Sequence, residues 1–341
     1  MRIAQVAPLY ERVPPLLYGG TERVVSYLTD ELVRQGHDVT LFASGDSITQ
    51  ANLVACSERS LRLDEKIVDP LAHHFILLEK VFERADDFDI IHFHIDYLHF
   101  PFSRRHPKPH LTTLHGRLDL VDLIPLYRTF GDVPLVSISC AQRQPLPRVN
   151  WQGTVYHGLP MDLYRPRTDQ SDYLVFLGRI SSEKRLDRAI EIARRSGMRL
   201  KIAAKVDAVD RKYFKKNIEP LLDDPIVECI GEVGDQSKQE LLACAYALLF
   251  PIDWPEPFGL VLIEAMACGT PVIAYRCGSV PEIVEHGVTG YIVDNLCDAT
   301  RAVVDAGRLD RALCRSRFEE RFTAARMAND YLRIYERLLT D

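Results

Sequence analysis

Long apolar runs are missing from this 341-residue chain. No stretch approaches the roughly 20 residues needed to cross a bilayer, and the opening MRIAQVAPLY lacks the charged-then-apolar layout of a secretory leader, so a cytosolic protein is expected. Paired cysteines are missing as well. The 8 cysteines stand apart with no C-x-x-C spacing, which argues against a structural zinc site or a redox couple and for reduced, mostly buried thiols. Positive charge is in short supply: the formal net charge is −6, and no basic stripe interleaved with aromatics offers a footing for nucleic acid. Low-complexity tracts and short repeats are absent, and so is the G-x-G-x-x-G fingerprint of a nicotinamide site.

What is present suffices for two hydrophobic cores. With 47% apolar residues and a length above the usual single-core limit, two domains of about 150 residues each are expected. Residues 1–163 alternate apolar runs, read as strands at 2–7, 38–43, 89–94, 111–115, 135–139 and 153–156, with amphipathic stretches at 21–35 and 71–84. Strand, helix and strand in succession predict a parallel sheet wrapped by helices. Around 156–167 the periodicity lapses and prolines appear, as in an interdomain linker. Residues 164–323 restart the alternation, with strands at 173–177, 224–231, 247–251, 272–274 and 291–293 and another ending at Lys205. The last run, 322–339, puts Met327, Tyr331, Ile334, Tyr335 and Leu338 on one helical face.

The chemistry concentrates in 251–271, PIDWPEPFGLVLIEAMACGTP. A loop ending Glu256-Pro257-Phe258-Gly259 leads into a helix over about 259–268, closed by Gly269 and Pro271. Glu264 interrupts an otherwise apolar helix. A buried lone carboxylate costs several kcal/mol unless hydrogen bonds offset it, and either vicinal ribose hydroxyls or an internal Arg or Lys would serve. Glu256 lies upstream, where the first N–H groups of the helix (Phe258, Gly259, Leu260) suit a phosphate or an electron-rich sugar oxygen; its plainer reading is a helix-start charge.

Other candidates fall at strand ends. Tyr18-Gly19-Gly20-Thr21 feeds the first helix, either as a backbone anion site or as a plain turn. Gly178 and Arg179 end one strand and Lys184 follows five residues on, a planar fork and a mobile charge for phosphate oxygens or else two ordinary surface cations. Lys205 ends the next strand, either adding to the positive field or making a salt bridge. His115 ends a strand at the carboxyl edge, where open α/β sheets bind ligands. His92, His94 and His99 lie close in sequence without forming a closed ligand set, so no metal site is expected there.

Two carboxylates with seven residues between them, followed by Gly-Thr-Pro-Val-Ile-Ala, resemble the signature of glycosyltransferase family 4. The resemblance spans almost the whole chain and implies a GT-B fold, with two Rossmann-like parallel-sheet domains (1–163 and 164–323) facing a central cleft and a C-terminal helix over 324–341 folded back on the first. It implies a retaining hexosyl transfer from a nucleotide-diphosphate sugar, UDP-glucose on family frequency, to an acceptor hydroxyl, without a metal or other cofactor. Glu264 is then placed on the donor ribose, Glu256 and His115 on the donor sugar, and Gly19, Gly20, Gly178, Arg179 and Lys184 around the diphosphate; Lys205 is grouped with these donor residues by its strand-end position alone. Asp96, Tyr18 and Arg117 are assigned to the acceptor side; Asp96 departs from the family pattern by one residue. His157 stands where the family carries an Asn, so no ligand contact is assigned to it. The stretch 100–108 is read as a solvated loop rather than a lipid-headgroup contact. A GT-B phosphorylase, an epimerase and a non-catalytic nucleotide-sugar binder are the competing readings.

Overall fold

The computed structural model describes residues 1–169 and 172–340. The chain divides into two compact units, Met1–Pro160 together with Thr323–Asp341, and Met161–Phe322.

The first unit is built on seven strands: β1 (Arg2–Val6), β2 (Asp38–Ser44), β3 (Asn52–Ser57), β4 (Ile90–Phe93), β5 (His110–Thr113), β6 (Leu135–Ser137) and β7 (Trp151–Thr154). They lie in the order β3-β2-β1-β4-β5-β6-β7, every pair parallel. β3 is the one strand here that the pattern did not signal. It sits at the sheet edge and is largely exposed, so nothing selected an apolar alternation for it. β7, at the other edge, is half-buried, and the strands between are buried on both faces. Val6, Phe42, Leu77, Val81 and Phe93 form one part of the core, and Phe100, Leu114, Tyr127 and Leu135 another; each such side chain contributes roughly 1.5–3 kcal/mol of transfer free energy.

Two helices matter for the site. Gly20–Arg34 buries Val24, Val25, Leu28 and Leu32 along one stripe. Ala324–Thr340 buries Met327, Tyr331, Ile334 and Tyr335 against the first sheet, and its face is apolar with two hydroxyl tips. The chain ahead of that helix is stitched to the end of the first sheet by a parallel bridge between Leu159 and Thr323 and by the bond from the Ala324 N–H to the Leu159 carbonyl at 2.8 Å.

The second unit repeats the plan with β8 (Tyr173–Arg179), β9 (Arg199–Lys205), β10 (Val227–Cys229), β11 (Ala247–Phe250), β12 (Val272–Tyr275) and β13 (Gly290–Val293). The order is β10-β9-β8-β11-β12-β13, again parallel throughout. β10 is shorter than the expected 224–231, because it is a partly exposed edge strand that pairs only with β9. The helix Leu260–Ala267 is almost wholly buried and closes with a Schellman arrangement: the Thr270 N–H reaches the Ala265 carbonyl and the Gly269 N–H the Met266 carbonyl, at 2.8 and 2.9 Å.

Both sheets change direction of progression beside their first strand, at β1/β4 and at β8/β11. Loops leaving neighbouring strands at such a point diverge to opposite faces and leave a crevice at the carboxyl edge. That topology determines which loops can meet.

Candidate functional site

In the second unit the β8/β11 switch point brings together residues far apart in sequence. The loop after β8 carries Lys184 in a turn, two residues before the helix Leu186–Ser196, and the loop after β11 carries Glu256. The Asp253 N–H bonds to the Glu183 carbonyl at 2.8 Å and ties the two loops. The Lys184 ammonium is bonded to Glu256 Oε2, and the Trp254 indole N–H donates to the same oxygen at 3.1 Å. Lys184 Nζ also lies 5.4 Å from the Phe250 ring centre and 5.1 Å from that of Trp254, so the cation is held by a carboxylate and two aromatic faces. Trp254 was not foreseen as part of this group; an indole two residues before the acid was the available signal.

The Glu256 loop is braced from behind by the Gly278-Ser279 turn. A side chain at Gly278, where φ is 54°, would place its first carbon 2.3 Å from the Glu256 carbonyl oxygen, and the Ser279 hydroxyl donates to the Phe258 carbonyl at 2.8 Å. Phe258 itself is buried and edge-on to Phe322. Its ring therefore anchors the loop, and only its backbone faces the helix start with Gly259 and Leu260.

Glu264 is buried and paired. Lys238 Nζ donates to Oε1 at 2.9 Å and the Tyr164 hydroxyl to the same atom at 3.3 Å. Lys238 comes from the helix Asp235–Cys244, and sequence reasoning named only the class of such a partner. Both bonds fall on Oε1.

The positive field expected at Arg179 and Lys205 is offset. Arg179 is ringed by Glu183, Asp207 and Asp210 at 3.6, 3.7 and 3.6 Å, all too long for hydrogen bonds, and Lys205 pairs with Asp207 at 3.3 Å. The Asp-containing stretch after β9, which was not considered from sequence, supplies two of those acids. Gly178 is open: a side-chain carbon there would meet nothing within 4 Å.

In the first unit, Gly19 is closed in by its own loop. A side-chain carbon at its φ of 151° would lie 2.8 Å from Pro15 Cβ, so the missing side chain serves the turn rather than the approach of a ligand. Gly20 and Tyr18 are exposed. Arg117 grips Asp119 with Nε and Nη2 at 2.7 and 2.8 Å. Asp96 is exposed, with a left-handed φ of 51° that non-glycine residues seldom adopt. His115 lies beyond β5; its Nε2 is 2.9 Å from Nδ1 of His94, and its ring stacks on His157 with centres 5.3 Å apart. Burial pushes its pKa down to about 3, and burial likewise holds His92, His94, His99 and His157 well below the ordinary range, so all five are neutral. His92 and His99 bond to Thr113 and Thr112.

Two family models match between them most of the chain: the family 4 glycosyltransferase model over residues 18–149 and the group 1 glycosyl transferase model over residues 165–306. The chain belongs to glycosyltransferase family 4. An uncharacterized glycosyltransferase of Methanocaldococcus jannaschii is 24% identical over 340 residues, covering 85% of this chain and 84% of its own. N-acetyl-alpha-D-glucosaminyl L-malate synthase of Bacillus anthracis is 39% identical over 118 residues, 32% of this chain and 31% of that protein. The solved structure of AviGT4, a glycosyltransferase involved in avilamycin A biosynthesis, superposes with a TM-score of 0.78 at 24% identity, covering 100% of this chain and 98% of that one. Anabaena HepE in complex with UDP and glucose superposes with a TM-score of 0.75 at 18% identity, over 99% of this chain and all of that one. The fold is accordingly GT-B. Among the described residues no helix is long and apolar enough to cross a membrane, and no three His, Cys, Asp or Glu side chains cluster as metal ligands.

Proposed function

We propose that the protein transfers a hexosyl group from a nucleotide-diphosphate sugar, UDP-glucose being the first donor to try, to an acceptor hydroxyl with retention of anomeric configuration and without a metal ion. The observation that carries this reading is the joint placement of Lys184 and Glu256 at the carboxyl-edge switch point of the second sheet, with Glu256 in the loop that leads into the helix bearing the buried Glu264. A carboxylate can accept from several donors at once. With Lys238 and Tyr164 on Oε1, Glu264 turns Oε2 to the ribose hydroxyls.

The diphosphate then exchanges partners with the local acids. Arg179 is held by ion pairs of 3.6 Å or more, so trading them for charge-assisted bonds to phosphate oxygens gains hydrogen bonds without breaking any. Lys184 and the N–H groups at Phe258–Leu260 complete the electrostatic cradle. As the bond from the anomeric carbon to the phosphate oxygen lengthens, negative charge gathers on the diphosphate and these groups interact more strongly than in the ground state. Glu256, drawn off Lys184, faces the electron-poor sugar. The acceptor oxygen bonds to the anomeric carbon on the face that the phosphate leaves, and its proton passes to the departing phosphate oxygen. Asp96, Arg117 and Tyr18 are offered as acceptor contacts. Support for a uridine donor comes from HepE, which was solved with UDP and glucose.

The test is the purified protein with UDP-glucose, with and without chelator. Release of UDP at the same rate in both, with the freed sugar appearing first as the α-anomer by proton NMR, is expected. A β-anomer, or activity abolished by chelator, refutes the mechanism, and sugar phosphate formed only when inorganic phosphate is added identifies a phosphorylase instead. Glu256→Ala should lower turnover while UDP still raises the melting temperature.

A further inference from the structure

Under the C-terminal helix of the first unit lies a set of polar side chains that the mechanism above does not use. Gln5 on β1, His92 on β4 and His94 just past it are all 2% exposed or less, as are Tyr331 and Tyr335 from the helix Ala324–Thr340. Gln5 and His92 are register partners on adjacent strands, and His94 is two residues on, so the three side chains share one sheet face. In a place without water every one of their donors and acceptors needs a protein partner.

The bonds form one continuous chain. His94 Nε2 is 2.8 Å from Gln5 Oε1, and Gln5 Nε2 donates to the Tyr335 hydroxyl at 3.1 Å. That hydroxyl is 2.7 Å from His92 Nδ1, His92 Nε2 is 2.8 Å from Thr113 Oγ1, and Thr113 Oγ1 is 2.8 Å from the Tyr331 hydroxyl. On the other arm His94 Nδ1 meets His115 Nε2 at 2.9 Å.

With the Gln5 amide oxygen on His94 and its nitrogen on Tyr335, one arrangement of hydrogens satisfies this chain with neutral imidazoles. An amide oxygen cannot donate, so His94 Nε2 carries the hydrogen. Its Nδ1 is then a bare acceptor, and the hydrogen between the two rings belongs to His115 Nε2. The remaining nitrogen of His115, Nδ1, is left with a lone pair and no hydrogen. It is buried and has no hydrogen-bond partner. The other arm agrees: Gln5 gives its N–H to Tyr335, Tyr335 gives its O–H to His92 Nδ1, and His92 gives Nε2–H to Thr113.

We propose that Gln5, acting through His94 and oriented by Tyr335, is a positioning residue that fixes His115 as its Nε2–H tautomer, so that Nδ1 accepts a hydrogen bond from a sugar hydroxyl. His115 in this state reads a hydroxyl and neither donates to the leaving group nor binds a phosphate oxygen. The assignment rests on the transferase reading for the word sugar, but not for the tautomer.

The experiment separates the two. In the full-length protein labelled with 15N-histidine and free of nucleotide, long-range proton–nitrogen correlation spectra report which ring nitrogen of each histidine is protonated, with the His115 signals assigned by their loss in His115→Gln. A protonated Nε2 and bare Nδ1 at His115 are expected; a protonated Nδ1 overturns the proposal. Gln5→Met removes the oxygen that orders the chain, so His115 should populate both tautomers and kcat/KM should fall roughly three- to tenfold, the worth of one neutral hydrogen bond. Thr113→Val cuts the opposite arm and should leave the His115 pattern in place. An unchanged His115 in Gln5→Met, or an equal disturbance in Thr113→Val, overturns the role given to Gln5. If Gln5→Met does not fold, the unsubstituted protein and Thr113→Val still decide the tautomer. The expected spectrum with no UDP release from UDP-glucose would sustain the network and sink the UDP-glucose reading alone.

Discussion

Glu22 stands in the first turn of the helix Gly20–Arg34 and is only 6% exposed. An acid there gains from the helix dipole, about 0.3–1 kcal/mol at an exposed position. Burial outweighs that gain. Desolvation is the largest influence, a bond from its own backbone N–H opposes it, the charge of Glu11 adds to it and Arg62 partly offsets Glu11, with the outcome that the Glu22 carboxyl is pushed up from 4.5 to about 7. Because the native chain holds this proton more tightly than the unfolded one, the stability it contributes is complete below about pH 4.5 and is lost as pH rises through about 7. At ~1.4 kcal/mol for each tenfold change in proton concentration, the gap between 4.5 and about 7 corresponds to about 3 kcal/mol. Glu22→Gln keeps the shape and removes the ionisation. Urea unfolding of the first unit can be followed through Trp151 alone in a Trp254→Phe background, since the chain has 2 tryptophans and these are in different units. The two proteins should be equally stable near pH 4, and Glu22→Gln more stable by about 3 kcal/mol near pH 8. A difference that is the same at both pH values, or a less stable glutamine variant near pH 8, would refute the reasoning.

Lys238→Met should strand the buried Glu264 carboxylate and destabilise the second unit by roughly 3–5 kcal/mol, whereas adding Glu264→Gln to it should recover much of that loss without restoring the UDP-induced rise in melting temperature; thermal unfolding with and without UDP checks both. Gly278→Ala should displace the backbone at Glu256, because the added carbon would meet the carbonyl oxygen at 2.3 Å and the nitrogen at 2.4 Å. Turnover with UDP-glucose should fall by at least tenfold while UDP binding, measured calorimetrically, changes far less.

The succession of strands, the parallel character of both sheets and the approximate bounds of most strands and of four helices are legible in the residues, because strands buried on both faces read as short apolar runs and amphipathic helices impose a period of 3.6. So were Glu256, Glu264 and Lys184, whose placement at a helix mouth, in an apolar helix and just past a strand end is a local property. β3 was not legible, since an exposed edge strand has no face to mark. Nor were the partners. That Lys184 meets Glu256 across 72 positions, that Lys238 neutralises Glu264, that Arg179 is hemmed in by three acids and that Gly19 is filled by Pro15 all depend on which loops a strand order brings together. The histidine tautomers lie furthest from the sequence. They follow from hydrogen bonds between side chains as distant as Gln5 and Tyr335, 330 positions apart, and a residue's own identity cannot say which of its nitrogens must give up a proton. Local sequence thus determined what each segment is, and the tertiary fold decided what each functional group faces, because electrostatics and hydrogen bonding act through space rather than along the chain.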